Sequence, residues 1–82
     1  MMYNARMETF ATGLDAALKR AGERTREERK AHGWTMEELG ERAGVTLQTV
    51  WQLETHKLRD VKLSTVWNVA RALGVPVADL LG

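Results

Sequence analysis

Eighty-two residues with 12 Lys/Arg against 11 Asp/Glu, no cysteine and 44% hydrophobic content describe one small domain that must stand on packing alone. The absence of cysteine excludes disulfides and thiolate metal sites and fits a reducing cytoplasm, and no apolar run approaches a membrane span or a secretory signal, so no membrane partner is expected. The charges are spread along the chain, so any nucleic-acid binding must come from a few positioned cations and not from a strongly positive field.

In chain order, residues 7–21 place Met7, Phe10, Ala11, Leu14, Ala17, Leu18 and Ala21 on one stripe, with Glu8, Thr12, Asp15 and Lys19 opposite, which predicts an amphipathic helix despite Gly13. Extending that stripe meets Thr25, Glu28 and His32, so the apolar face is expected to stop near Gly22. This divides the chain into an N-terminal helix, 1–21, and a domain, 22–82. "GERTREERKAHG" reads as a separate charge-laced helix, or a continuation bent at Gly22, with a solvated outer face.

From Trp34 the punctuation is regular. Thr35 with Glu38 forms a T-x-x-E capping box, and Trp34 and Leu39 can close a hydrophobic staple around it. Gly44 stands where a helix must stop with positive φ, and Thr46 caps the next helix between Val45 and Val50. After the polar stretch "THKLRDVKL", Ser64 is expected to cap a helix whose Val66, Val69, Ala70 and Leu73 share a face. Gly74 ends it, Pro76 opens a final turn, and Val77, Leu80 and Leu81 close over the core. Trp34 and Trp67 read as core or core-edge residues. β signals are nearly absent, and the expectation is an all-α fold.

Two short helices joined by A-G-V-T form a helix-turn-helix arrangement, in which Gly44 allows the sharp turn and Val45 fills the angle. At 100° per residue, Val50 and Leu53 point into the core, while Leu47, Gln48, Trp51, Gln52 and Thr55 fall on the opposite arc. A helix fits the major groove, and Gln can bond adenine N6 and N7 together. Trp51 stays open between packing on a flanking segment and touching a thymine methyl or a partner. The outward arc, Leu47, Gln48, Trp51 and Gln52, is the candidate base-reading face. The hydroxyls of Thr46, Thr49 and Thr55 and the cations Lys57, Arg59 and Lys62 are the candidate phosphate contacts.

Over roughly residues 22–82 the chain resembles the lambda-repressor-like (Cro/XRE-type) helix-turn-helix domains, on "GWTMEELGERAGVTLQTVWQLE" followed by "LSTVWNVARALGVPVADLL". The resemblance implies a five-helix DNA-binding domain, to which residues 1–21 would add an N-terminal helix. It implies a recognition helix starting at Thr46, base-facing side chains at Leu47, Gln48 and Gln52, and a structural ion pair between Arg29 and Glu54. This chain departs from the family pattern in having Met36 where a phosphate-gripping Gln is usual, Gly40 where Ala is usual, and His56 where Gly is usual. Its loop after Glu54 lacks the usual Pro, and Thr25 and Glu28 stand at positions that are usually apolar.

Enzymatic readings fail on inventory: one serine, no cysteine, no paired carboxylates with a cleft pattern and no phosphate loop. His32 and His56 lack metal-site spacing, and no metal or cofactor is expected. The expected function is that of a sequence-specific double-stranded DNA-binding transcriptional regulator, repressor-like and dimeric, with residues 46–55 in the major groove, in the cytoplasm and associated with the nucleoid. The second reading is a protein-interaction module on the same fold, such as an antitoxin or a phage-type regulator. With only Gly82 after Leu81, the homodimer is expected through Met7, Phe10, Leu14 and Leu18. Its alternative is the surface of the last two helices around Pro76 and Leu80.

Overall fold

The computed structural model describes the backbone of residues 2–58 and 60–82, and side chains from residue 13 onward except at position 59. It contains α1 (Met2–Ala31), α2 (Met36–Ala43), α3 (Leu47–Glu54), α4 (Leu63–Leu73) and α5 (Val77–Leu81), with no strand among the described residues. The expected all-α, five-helix domain is present. Its additional N-terminal helix is the first half of α1 and not a separate element, so the expected division at residue 22 falls inside one 30-residue helix. At about 1.5 Å per residue such a helix is about 45 Å long. It accounts for the long axis of a molecule measuring 48 × 22 × 19 Å.

The apolar stripe of α1 does not stop at Gly22. Leu18, Ala21, Gly22, Thr25 and Arg29 are all buried, at spacings that keep one face turned to the body. Thr25 is 0% exposed, and its hydroxyl donates to the Ala21 carbonyl four residues back, at 2.7 Å. That local bond satisfies the polar group that makes Thr25 look like the end of the stripe. Leu18, 4% exposed, belongs to the packing of its own chain and is not available to a second copy. Leu14 is exposed, and Met7 and Phe10 lie outside the residues whose side chains are described.

Gly22 does not break α1 but is a point of contact. A Cβ built there would fall 2.1 Å from the Leu53 carbonyl oxygen, so the backbone of α1 rests directly on the C-terminal end of α3. The rest of the core is Leu39 and Ala43 from α2, Val50 and Leu53 from α3, Val66, Val69, Ala70 and Leu73 from α4, and Leu80 from α5. Each large apolar side chain there contributes roughly 1.5–3 kcal/mol by leaving water.

The caps divide into those written locally and one that is not. Thr35 accepts the Glu38 N–H at 3.1 Å while its own N–H reaches the Glu38 carboxylate at 3.2 Å, and Gly44 ends α2 with φ 71°. Ser64, by contrast, is not a cap. The carbonyl of Lys62 already accepts the N–H groups of Thr65 and Val66, so α4 is entered at Lys62 without a side-chain bond and Ser64 lies exposed in its first turn. Trp34 is partly buried against the core, as expected, but Trp67 is 60% exposed. Trp67 lies about 100° around α4 from Val66, off the buried face, and one turn after the exposed Leu63. On α5, Leu80 is buried and only Pro76 of the expected pair faces outward.

Replacing Gly22 by Ala should destabilise the protein by about 1–3 kcal/mol, because the obstructing atom is backbone and cannot swing aside. Helix propensity alone gives the opposite sign, favouring Ala over Gly by up to about 1 kcal/mol. Denaturant unfolding of Gly22→Ala therefore tests the seat of α1 on α3: a raised midpoint would show that the two helices do not meet there.

Candidate nucleic-acid interface

An eight-residue helix has little stability of its own, so α3 must be held by its surroundings. At its start, Thr46 accepts the Thr49 N–H at 3.0 Å, and the turn before it is fixed by a bond from the Val45 N–H to the Gly40 carbonyl at 2.9 Å. On its inner face Val50 and Leu53 are buried. The outer face carries Leu47 and Trp51, 50% and 47% exposed, beside the exposed Gln48 and Thr55 and the half-buried Gln52. The side chains grouped by helical angle therefore do share one outward face. Trp51 is on it and not in the core.

The end of α3 is locked to α1 by charge. Arg29 donates from Nε to Glu54 Oε2 at 2.7 Å and from Nη2 to Oε1 at 2.9 Å, a two-pronged match of planar fork to carboxylate. Its Nη1 donates to the Trp34 carbonyl at 2.7 Å, so α1, α3 and the segment entering α2 meet at one guanidinium. The Glu54 side chain is 1% exposed. Its hydrogen bond raises the Arg29 pKa above the ordinary value, against the opposing effect of burial, so the guanidinium stays charged. The pair expected from the resemblance is thus formed, between the residues expected.

The candidate phosphate contacts are unequal. Thr46 and Thr49 hydroxyls bond each other at 2.9 Å, which leaves one hydroxyl hydrogen of the two for a phosphate oxygen. Thr55 donates its hydrogen to the Trp51 carbonyl at 2.7 Å and has none to offer without breaking that bond. Lys57 and Lys62 are exposed cations flanking the loop after α3, and Arg59 lies outside the described residues. Met36, where the resembling family usually has a phosphate-gripping Gln, is half-buried against the core and has no hydrogen-bond donor to offer a phosphate.

Two features had little or no signal in the sequence. Arg42 places its guanidinium 4.3 Å from the centre of the Trp34 ring, a cation–π contact over the entrance of α2. His56 adopts φ 59°, the single described non-glycine residue with positive φ. It ends α3 in a Schellman motif, its N–H reaching the Leu53 carbonyl at 3.3 Å and the Lys57 N–H reaching the Gln52 carbonyl at 2.8 Å. A β-carbon in this region costs on the order of 1–2 kcal/mol, which is why glycine is usual there.

A core-anchored helix, entered through a glycine turn and presenting two glutamines on its open face, is the arrangement of a helix-turn-helix DNA-binding domain. A family model described as helix-turn-helix, of the Cro/XRE type, matches residues 26–80, and the chain belongs to this family of DNA-binding transcriptional regulators. It is also similar to the restriction-modification controller protein C.AhdI from Aeromonas hydrophila, whose crystal structure superposes with a TM-score of 0.72 at 31% sequence identity. That match covers 79% of this chain and 97% of the controller. No curated protein matches the chain.

Removing one member of the buried pair, as in Glu54→Ala or Arg29→Ala, should cost about 3–5 kcal/mol, since the other is left charged and without its partner. Urea unfolding measures this directly. A loss below about 1 kcal/mol would class the pair with solvent-screened surface bridges.

Proposed function

We propose that this chain is a sequence-specific, double-stranded DNA-binding regulator that works as a dimer, with α3 in the major groove. The observation that carries the reading is the outward face of α3. Leu47, Gln48, Trp51 and Gln52 lie together on a helix whose opposite side is buried and whose end is fixed by Arg29 and Glu54. Gln48 and Gln52 read base edges, Leu47 and Trp51 offer apolar surface to thymine methyls, and Thr46 or Thr49 with Lys57 and Lys62 hold phosphates. Thr55 and Arg59 complete the expected set, Thr55 only if its bond to Trp51 opens on binding. The similarity to a restriction-modification controller supports a role in gene control. Repressor-like action would follow where such a dimer covers a promoter against polymerase. Reading a chromosome places the chain in the cytoplasm, at the nucleoid.

The affinity of duplex DNA for the protein should fall steeply with salt, linearly on logarithmic axes. Gln48→Ala or Gln52→Ala should cost about 1–3 kcal/mol on the best site and relax preference at one base pair. Lys57→Ala should weaken binding to every sequence and reduce the salt slope by about one. Selection from a random duplex pool followed by salt titrations separates the two classes. Equal losses on all sequences for both would reject the assignment of roles.

One copy covers half of a two-fold operator, so a second is needed. The surface proposed for it is the α4–α5 face, where Leu63 and Trp67 are 74% and 60% exposed and Trp67, Val75, Pro76 and Val77 line a shallow apolar groove. This replaces the N-terminal stripe, from which the burial of Leu18 withdraws one member. Trp67→Asp should yield a folded monomer in sedimentation whose binding to a palindromic site collapses while half-site binding survives. A wild-type chain that is itself monomeric would favour the second reading, a different protein seated on Leu63 and Trp67.

A further inference from the structure

His56 occupies a backbone position that suits glycine, and it spends its ring on a contact. Nε2 lies 3.3 Å from Oδ1 of Asp15 on α1, while the Nδ1 edge is buried with no hydrogen-bond partner among the described residues. The imidazole is therefore packed between the end of α3 and the N-terminal half of α1, with its polar contact among the described residues directed to Asp15. Asp15 precedes the region matched by the helix-turn-helix family, residues 26–80, so the contact reaches the DNA-binding element from outside the span of that family's motif.

The residue after His56 gives the contact its consequence. The left-handed turn at His56 directs the Lys57 N–H onto the Gln52 carbonyl at 2.8 Å, and Lys57 is exposed at the start of the loop that flanks the reading face. Gln52 stands on that face itself. A ring held by α1 restricts the backbone angles of residue 56, and those angles set where Lys57 leaves the helix. We propose that His56, clasped by Asp15, is a positioning residue for DNA binding that holds Lys57 and the loop after α3 in register with the phosphate backbone. This role rests on the proposed DNA-binding function.

The Asp15 side chain is 73% exposed, so the clasp is a modest, water-screened interaction and its effect on affinity is small but measurable. Two variants separate positioning from a simple change of charge or stability. His56→Gly relieves the strained φ and removes the ring, so thermal stability should hold or rise while affinity for specific and random duplex alike falls about two- to five-fold. Asp15→Ala deletes an acid from a DNA-binding protein, which by charge alone strengthens binding to phosphate. The proposal requires the opposite, a loss of similar size, with base preference unchanged in both variants. The double variant should bind no worse than His56→Gly, because the two residues act through one contact. Wild-type chain that binds duplex in a salt-dependent way, alongside His56→Gly and Asp15→Ala variants that bind as well or more tightly, overturns this proposal and leaves the function reading standing. Wild-type chain that binds no duplex at any salt concentration overturns both.

Discussion

A guanidinium that donates two parallel hydrogen bonds to a carboxylate almost wholly out of water is the joint on which the rest of this molecule turns. Hydrophobic burial is strong but has no direction. Val50 and Leu53 can keep α3 against the core without deciding its tilt or rotation to the precision that base recognition demands. The Arg29–Glu54 pair supplies that direction, because the planar fork is satisfied in one geometry. Its third bond, to the Trp34 carbonyl, fixes the entrance of α2 to the same point. Gly22 lets α1 approach closely enough for the fork to reach, by leaving out the Cβ that would strike Leu53. One side of α1 thus carries both the close backbone contact and the polar lock.

The parts of this fold that are legible in the sequence are those written over three or four residues. The Thr35–Glu38 box, the Thr46 cap, the Gly44 stop and the inward set Val50 and Leu53 depend on local spacing, and all stand where spacing puts them. The Arg29–Glu54 pair joins positions 25 residues apart, and only the family resemblance points to it. Thr25 ends the stripe only when polarity is counted by residue type, while its hydroxyl is in fact satisfied within its own helix. Gly22 reads as a boundary because glycine weakens helices, whereas here its smallness is what packing requires. Ser64 has the right chemistry for a cap in the wrong place, since the backbone enters α4 earlier. Trp67 belongs in a core by its size, and only the helix's rotation shows that it faces out.

The proposed reading face combines two chemistries that pull in different directions. Gln48 and Gln52 gain from groove hydrogen bonds only if water is displaced by base edges that replace its bonds. Leu47 and Trp51 gain from leaving water whatever covers them, so on their own they would bind a methyl group, a sugar face or a protein. In the proposed reading, placing the two kinds on one arc would make the apolar pair an affinity element and the glutamines the discriminating one. A partner that covers Leu47 and Trp51 without pairing the amides leaves polar groups stranded, which disfavours a generic protein surface.

The charge distribution then sets how this protein must achieve its specificity. With a net charge of +1 and, among the described residues of the loop after α3, Lys57 and Lys62 as its cations, the sequence-independent attraction to phosphate is small for a DNA-binding protein. A reader of that kind loses less of itself to random duplex, so a given set of base contacts separates target from background more cleanly. The same economy leaves a single copy with weak total affinity, because phosphates usually supply much of it. In the proposed dimer, two copies on a two-fold site would recover it, since the second half-site is engaged at high effective concentration once the first is bound. Low charge, a small outward face on α3 and an exposed apolar surface on α4 are therefore consistent with the proposed arrangement, in which dimer formation would supply the affinity that the phosphate backbone does not.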